Sequence, residues 1–363
     1  MTLFADILLL ALSIVAPLDG ATVPTLRGVH KAYLQAPRAE RFKVLENVEL
    51  RKTLVAKGGV QQPLRLSWAG EADRLYELMV EREGGESQTF TIPRKTEAYI
   101  TNLEIGARYR WSVSEPGTTN RVEATFLTEE VGPRLLRADG VLNLRDLGGW
   151  KGLNGRRVRQ NKVFRSAGLR YSSRRRGGGL FGGSFEEGGN RITPQGIQTL
   201  RDDLAICTDI ELRNNQEAAG MTSSILGESV SWIHVPFAAY DFIDSPVRGR
   251  EPFAAVFKAF LDPARYPILF HCSGGRDRTG TLAFLLNGLL GVSDEDLCRD
   301  WETSVFVEEN VNFGPSRLQR LLGYLRGMGG ETMAEQCERY VMSCGVTKEE
   351  IEKFRGIMLE GGN

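Results

Sequence analysis

The sequence predicts an all-β sandwich domain followed by an α/β domain with a mostly parallel sheet flanked by helices. Short alternating runs separated by Gly, Pro and Asn predict strands in the first half. In the second half, predicted strands alternate with predicted helices, which is typical of a parallel sheet. The length of 363 residues fits about two domains, and a hydrophobic content of 41% is ordinary for globular domains that bury a full core.

The first domain is predicted over residues 22–130. Its predicted strands are Leu64–Trp68, Tyr76–Glu83, Thr89–Ile92, Glu97–Thr101, Arg108–Ser114 and Val122–Leu127. Within the stretch NLEIGARYRWSV, Leu103, Gly106 and Tyr109 resemble the turn and tyrosine corner of fibronectin type III domains. This half has no cysteine, which excludes an immunoglobulin disulfide. The resemblance implies a binding or spacer module without a catalytic residue, whose partner the sequence does not identify.

The second domain is predicted over residues 131–363. Thr193 is a predicted N-cap with Pro194 at the first helical position, so a helix should run to about Asp203. The predicted strands of this domain are Ala205–Leu212, Val230–Pro236 and Tyr266–His271. The further predicted helices are Pro252–Leu261, Thr279–Leu290 and three that begin at Ser293, Pro315 and Thr347. The low-complexity stretch Arg174–Gly189 is predicted to be a loop.

The N-terminus carries an apolar run, Ile7–Ala16, that is too short to span a bilayer and fits the core of a signal peptide. We therefore predict a signal peptide over residues 1–21 and export to the periplasm or the medium. The alternative is a buried N-terminal segment of a cytoplasmic protein, because Asp6 stands where a signal peptide usually has a basic residue. No other segment approaches the length of a membrane span.

Charge and cysteine usage exclude several classes of protein. Lys+Arg and Asp+Glu both number 46, so the chain lacks the basic excess of a general nucleic-acid binder. The cysteines number 5, and none has the paired spacing of a zinc site. We therefore expect no metal and no cofactor, and any local cluster of positive charge is to be interpreted as the chemistry of a site.

The stretch HCSGGRDRTG, residues 271–280, predicts an anion pocket. A strand, a tight glycine loop and a helix N-terminus together aim backbone N–H groups and partial positive charge at one point. The thiol of Cys272 lies at the base of that loop, where a helix end and Arg278 favour the nucleophilic thiolate. Arg278 follows six residues later in the spacing Cys-x5-Arg, and its planar fork matches two oxygens of a phosphate.

This loop satisfies the pattern His-Cys-x5-Arg-Thr and resembles the signature loop of cysteine-based protein tyrosine phosphatases. Four further stretches are similar to those of the bacterial atypical tyrosine phosphatases with a Lys-Asp pair in the loop: NLRDLGGW (143–150), FRSAGL (164–169), TDIELRNNQE (208–217) and CRDWETS (298–304). The resemblance covers about residues 133–363 and implies action on phosphotyrosine, phosphoserine or phosphothreonine, or phosphoinositides. Arg276 replaces the usual lysine, which keeps the charge and changes its geometry.

The resemblance and the chemistry together assign roles to the loop. Cys272 is the predicted nucleophile, Arg278 clamps the phosphate, and Thr279 stabilises the leaving sulfur. His271 is expected to orient the loop by hydrogen bonding. The predicted substrate-binding residues are Ser273, Gly274, Gly275 and Arg276. A buried framework of salt bridges and hydrogen bonds is expected beneath the loop from Arg145, Asp146, Arg165, Asp209 and Arg213.

The general acid has two candidates. Asp277 lies in the loop itself and matches the aspartate that serves as acid in the resembling family. Asp241 follows a predicted strand and could occupy the movable-loop position that carries the acid in other tyrosine phosphatases. We favour Asp277.

The sequence therefore predicts a phosphomonoester hydrolase, either a protein tyrosine or a dual-specificity phosphatase, that forms a phosphocysteine intermediate. The expected partner is a phosphorylated protein or a phosphoinositide, and a phosphoinositide phosphatase using the same site is the first alternative. A rhodanese-type sulfurtransferase also places a cysteine in an anion loop. A catalytically weak binding module is the remaining alternative, although such proteins usually lose the equivalent of Cys272 or Arg278.

Overall fold

The computed structural model describes residues 12–55, 58–169, 192–218, 220–237, 246–307 and 315–361. Asp241 and the predicted loop Arg174–Gly189 lie outside these residues. The chain forms two compact units, one made of Met1–Arg27 with Gln61–Val131 and the other of Gly28–Val60 with Gly132–Asn363.

The first unit contains two β-sheets. Its strands are β1 (Ser13–Ala16), β2 (Ala21–Val23), β3 (Leu64–Ala69), β4 (Leu75–Arg82), β5 (Ser87–Pro93), β6 (Glu97–Ile100), β7 (Arg108–Ser114) and β8 (Arg121–Thr128). One sheet has the order β1-β3-β6 and the other β2-β8-β7-β4-β5. All six strands predicted in this half are present, with bounds that agree closely with the predicted ones.

Alternation explains how these strands bury one face. In β4, Tyr76, Leu78 and Val80 are buried, and Trp111 and Val113 of β7 join the same hydrophobic cluster. In the turn before β7, the Tyr109 hydroxyl accepts a hydrogen bond of 2.9 Å from the backbone N–H of Glu104. That contact is the one a tyrosine corner makes. Membership in the fibronectin type III family stays a prediction.

The predicted signal segment is described from Leu12 onward. Leu12 is buried in the core of the first unit, and β1 pairs antiparallel with β3. The alternative of a buried N-terminal segment expects this packing. Export and cleavage stay predictions.

The second unit is built on a five-stranded sheet. Its strands are β9 (Arg145–Asp146), β10 (Val163–Ala167), β11 (Thr208–Glu211), β12 (Ser231–His234) and β13 (Ile268–Cys272), in the order β12-β11-β13-β10-β9. All pairs are parallel except β9 with β10, so the predicted mostly parallel sheet is confirmed. The central strand β13 is buried along its whole length and ends at Cys272.

Helices surround this sheet. They are α4 (Pro194–Gln198, continued by a π-helical turn Thr199–Asp203), α5 (Pro246–Phe257), α6 (Asp277–Leu289), α7 (Asp294–Glu302), α8 (Pro315–Gly327), α9 (Met333–Ser343) and α10 (Lys348–Met358). The predicted caps are confirmed, since the side chains of Thr193, Ser293 and Thr347 each accept a backbone N–H. Within the described ranges, no helix is both long and apolar enough to cross a bilayer.

Two helices differ from the sequence-based expectation. The predicted start of α5 at Pro252 is wrong, because the helix begins at Pro246 and runs through Pro252. A proline inside a helix removes one hydrogen bond, and this helix continues past that loss. For α9 the sequence predicted helix-face positions at Cys337 and Cys344 but no start, although Thr332 and Glu335 form a capping box there.

Three further helices extend the second unit into the region predicted as part of the first domain. They are α1 (Gly28–Gln35), α2 (Arg38–Glu46) and α3 (Val48–Val55). The fully buried guanidinium of Arg41 contacts Glu302 at 2.5 Å and Glu295 at 2.6 Å, both on α7. The second unit therefore takes Gly28–Val60, whereas the predicted first domain ran unbroken over residues 22–130. These long-range contacts leave no local pattern in the sequence.

Candidate active site

Cys272 lies at the end of β13, where the chain turns into a short loop and then into α6. Its side chain is buried, with 3% of its surface exposed. Gly275 in this loop has a φ of +65°, and a Cβ at that position would lie 2.4 Å from the carbonyl oxygen of Ser166. A glycine is therefore required for the loop to pack against β10.

Two buried side chains, Asn143 and Arg165, hold the inner side of the loop. The Asn143 Nδ2 donates to the carbonyl oxygens of Gly274 at 3.1 Å and Gly275 at 3.0 Å. The Arg165 Nη2 donates to the Gly275 oxygen at 2.7 Å. The C=O and N–H of a trans peptide point in opposite directions. The N–H groups of Gly275 and Arg276 are therefore turned away from these partners, in the arrangement of an anion nest.

A buried carboxylate supports both arginines beneath the loop. Asp300 accepts from Arg145 Nε at 2.8 Å and from Arg165 Nη1 at 2.5 Å. Burial opposes its charge, but the two guanidinium groups outweigh that effect and the pKa of Asp300 is lowered. Burial and the nearby charge of Arg145 lower the pKa of Arg165 to about 9, so this side chain is still cationic at neutral pH.

The predicted framework residues all form buried polar contacts. Arg145 and Arg165 share Asp300, Asp146 pairs with Arg134 at 2.7 Å, Asp209 contacts His271, and Arg213 pairs with Glu211 at 2.6 Å. The framework prediction is confirmed. The partners Arg134, Glu211 and Asp300 had not been singled out, because nothing in the sequence shows which distant acids and bases meet.

His271 contacts two carboxylates on the neighbouring strand β11. Its Nε2 lies 2.9 Å from Asp209 Oδ1, and its Nδ1 lies 3.7 Å from Glu211 Oε1. Burial disfavours the charged imidazole, but the two carboxylates reverse that effect and raise the pKa of His271. The hydrogen bond of His271 therefore joins it to β11 and not to the loop itself. His271 can orient the loop only indirectly, by fixing the strand β13 from which the loop begins.

Arg278 is oriented by a residue that sequence reasoning missed. Its Nη1 and Nη2 donate to Glu217 at 2.6 and 2.9 Å, and the Ser273 hydroxyl donates to Glu217 Oε1 at 2.8 Å. Burial would raise the pKa of Glu217, but the contacts with Arg278 and Ser273 hold it at about 2. Glu217 is therefore ionised at neutral pH and fixes the plane of the Arg278 guanidinium. The sequence did offer a signal for Glu217, because it is the last residue of the stretch TDIELRNNQE (208–217).

The charge of Cys272 is set by opposing effects. Burial raises the pKa of its thiol, whereas the positive charge of Arg278 and the hydroxyl and amide of Thr279 lower it. Arg278 and Thr279 together outweigh the effect of burial, so the pKa of Cys272 lies below the ordinary value for a thiol. A thiolate near neutral pH is the nucleophilic form.

The rim of the loop carries the remaining predicted residues. Asp277 begins α6, and its Oδ1 accepts a hydrogen bond of 2.8 Å from Arg317 Nη1 on α8. Arg276 lies over the loop, since a Cβ at Gly274 would be 2.8 Å from the Arg276 Nε. The structure thus brings together Cys272, Arg278 and Asp277 with their loop, whereas Asp241 lies outside the described residues.

Comparison with known proteins identifies the family. The model of the tyrosine phosphatase family matches residues 136–176 and 188–360, which is more than half of the chain. The chain belongs to the tyrosine phosphatase family. The matched residues of this phosphatase include β9, the loop at Cys272 and all the helices from α6 to α10.

One curated relative comes from Cupriavidus necator and bears the name "Putative tyrosine-protein phosphatase". It is 28% identical over 213 residues, which cover 52% of this phosphatase and 68% of the relative.

Two solved structures are similar over part of the chain. The core catalytic domain of the PP-IP phosphatase SIW14 from S. cerevisiae, in complex with citrate, is 17% identical and covers 40% of this chain and 71% of its own, with a TM-score of 0.28. A structure of the Siw14 catalytic core is 14% identical. The match covers 44% of this chain and 76% of that one, with a TM-score of 0.29.

Proposed function

We propose that this phosphatase is a phosphomonoester hydrolase of the protein tyrosine or dual-specificity type, and that it works through a phosphocysteine intermediate. The observation that carries the proposal is the position of Cys272, buried beneath Arg278 at the base of an amide-lined loop, with its pKa lowered. A thiolate under a phosphate-shaped cradle is arranged for in-line attack on phosphorus.

In the first step, the Cys272 sulfur attacks phosphorus, an S–P bond forms and the P–O bond to the leaving group breaks. Asp277, in its protonated form, gives its proton to the leaving oxygen. Arg278 and the loop amides bind the equatorial oxygens as their charge redistributes. The products are the dephosphorylated alcohol or phenol and phosphocysteine.

In the second step, a water oxygen attacks phosphorus and passes its proton to the Asp277 carboxylate. The S–P bond breaks, inorganic phosphate leaves and the Cys272 thiolate is restored. Thr279 supports this step because its hydroxyl and amide stabilise the negative charge on sulfur. The cycle returns both Cys272 and Asp277 to their starting forms.

A phosphoinositide substrate is the second candidate. Arg276 places a cation beside the cradle, and Arg317 lies at the same rim through its contact with Asp277. Such cations suit a substrate with more than one phosphate group. The β-rich first unit remains a proposed fibronectin type III-like binding or spacer module, and export remains a proposal that rests on the apolar run alone.

The test is a substrate panel with the full-length protein. Phosphotyrosine, phosphoserine and phosphothreonine peptides and phosphoinositides are assayed beside thiosulfate, with Cys272→Ser as the control. We expect phosphate release from at least one phosphorylated class and no sulfur transfer from thiosulfate to added cyanide. The serine variant should release no phosphate, because a hydroxyl is a much poorer nucleophile than a thiolate.

The intermediate is tested directly by acid quench during turnover, followed by peptide mass spectrometry. The expected result is a phosphate adduct on Cys272. Near wild-type activity of a folded Cys272→Ser protein would refute the mechanism. Sulfur transfer from thiosulfate would favour the rhodanese alternative, and absence of turnover on the whole panel would favour a binding module.

A further inference from the structure

Asn143 lies outside the loop at Cys272, yet it combines a left-handed backbone with a buried side chain that binds this loop. It is 3% exposed, and its φ of 57° lies in the left-handed region. Its Oδ1 accepts a hydrogen bond from Arg145 Nη1, and its Nδ2 donates to the carbonyl oxygens of Gly274 and Gly275. The guanidinium can only donate and the carbonyls can only accept, so the orientation of the amide is fixed.

We infer that Asn143 is a positioning residue that sets the direction of the phosphate-binding N–H groups. The inference deepens the proposed function and rests on it. Asn143 draws two successive loop carbonyls outward, which turns the N–H groups of Gly275 and Arg276 toward the space above Cys272. A rotated peptide would aim a carbonyl oxygen at the phosphate instead and repel it.

The two carbonyls depend on Asn143 to different degrees. The Gly275 oxygen has a second donor in Arg165, at 2.7 Å. Among the residues that the structure describes, the recorded donor to the Gly274 oxygen is Asn143. The peptide that carries the Gly275 N–H is therefore the one that Asn143 orients most strongly.

The surroundings of Asn143 prevent it from changing conformation with the substrate. Arg145, which binds its Oδ1, is itself held by Asp300, and Ser304 Oγ lies 3.3 Å from Asn143 Nδ2. Donors that are fixed before the reaction need no reorganisation as charge develops. Asn143 thus keeps the cradle formed in the absence of phosphate.

The chain offers a matched control in Asn161. It also has a left-handed backbone, with a φ of 61°, and its Oδ1 also accepts from an arginine, Arg134 Nη1, at 2.5 Å. The backbone N–H of Asn161 also donates to Asp146 Oδ2 at 2.7 Å, which ties this residue to the Arg134–Asp146 pair. Replacement by glycine removes either side chain while allowing the left-handed backbone. Both variants lose an arginine contact, and Asn143→Gly also loses the two hydrogen bonds to the carbonyls of Gly274 and Gly275.

The experiment measures oxyanion binding separately from turnover. Sodium tungstate, a stable tetrahedral anion, is titrated into full-length wild type, Asn143→Gly and Asn161→Gly by calorimetry, and kcat and KM are measured on the preferred substrate. We expect Asn143→Gly to weaken tungstate binding about tenfold and to lower kcat/KM by about 10–100-fold, somewhat less than the loss of a direct oxyanion donor. Asn161→Gly should stay within about twofold of wild type.

A second variant separates positioning from folding. Asn143→Asp keeps the size and the contact with Arg145 but cannot donate to the carbonyls, so it should lose at least as much tungstate affinity as Asn143→Gly. Wild-type tungstate affinity in folded Asn143→Asp or Asn143→Gly protein would overturn the inference. A wild type that binds tungstate without hydrolysing any phosphomonoester would defeat the proposed function instead, while the variants would still test the role of Asn143.

Discussion

The inner and outer sides of the catalytic loop are held in different ways. On the inner side, Asn143 and Arg165 bind the loop carbonyls and are buried. On the outer side, Asp277 and Arg317 form an ion pair whose side chains are 26% and 25% exposed. Buried polar networks with satisfied partners are stiff, whereas partly exposed pairs are screened by water and salt. The loop that we propose as the phosphate cradle should therefore be held more firmly on its inner side than at the rim formed by Asp277 and Arg317.

The largest effect is expected where the inner side meets the phosphate. Arg278→Lys replaces a planar fork with a point charge, which can match neither Glu217 nor two phosphate oxygens at once. We expect a loss of about 10²–10³ in kcat, or about 3–4 kcal/mol of transition-state stabilisation.

The control for this prediction is Arg276→Lys, the same substitution in the same loop, which introduces the residue usual in the resembling family. It should change kcat on a phosphotyrosine peptide by less than about threefold, the size of effect expected for a partly exposed charge. A change of less than tenfold in Arg278→Lys would show that Arg278 does not clamp the phosphate.

The next effect tests whether the rim supplies the acid. Asp277→Asn should slow the release of a poor leaving group such as tyrosine by about 10²-fold and that of an activated aryl phosphate much less. It should also remove the basic limb of the pH–rate profile, where a catalytic acid would be deprotonated. Steady-state kinetics on aryl phosphates of graded leaving-group pKa provide the measurement.

Asp241→Asn is the matched variant, and we expect a mild effect that does not depend on the leaving group. The steeper dependence in Asp241→Asn would show that the acid comes from a movable loop. The rim of the loop would then differ from the inner side in function as well, because it would contain no group that takes part in the reaction.

A smaller effect concerns the thiol at the centre of the inner side. The pKa of Cys272 is lowered, because Arg278 and Thr279 together outweigh its burial. Below the pKa of a free thiol, about 8.5, a larger fraction of Cys272 should therefore be thiolate than of an ordinary cysteine. Alkylation by iodoacetamide, followed against pH, should reach half of its maximal rate well below that value.

Cys207 provides an internal control, because its side chain is exposed and lies outside the loop. Peptide mass spectrometry distinguishes the two sites in one experiment. A titration of Cys272 that coincides with that of free N-acetylcysteine, measured in the same buffers, would contradict an activated nucleophile.

The smallest effect is expected from the partly exposed pair of Asp277 and Arg317 itself. Arg317→Gln removes the partner of Asp277, but a pair exposed to this degree contributes little in water. We expect kcat/KM on a phosphotyrosine peptide to fall by less than about threefold and the difference to shrink at high salt. Arg326→Gln, on the exposed face of the same helix, is the control. A loss as large as that of Asp277→Asn would show that the rim is as rigid as the inner side.

Local chemistry made part of this site predictable. The glycine at 275, the caps at Ser293 and Thr347, and the spacing from Cys272 to Arg278 each act within a few residues, so they leave a pattern in the sequence. The contacts of Glu217 with Arg278 and of Asn143 with Gly274 join residues far apart in the chain. Such pairings depend on the order of strands in the sheet, which no local pattern encodes.

The sequence by itself determined the strands of the first half, the α/β alternation of the second and the anion loop with its cysteine. Tertiary structure alone decided that Gly28–Val60 joins the second unit, since the carboxylates that pair with the buried Arg41 are on α7, more than 250 residues away in the chain. It also decided which side of the loop is held by buried side chains. A periodicity of apolar residues records burial along one element, whereas a polar partner across the core is chosen by three-dimensional proximity.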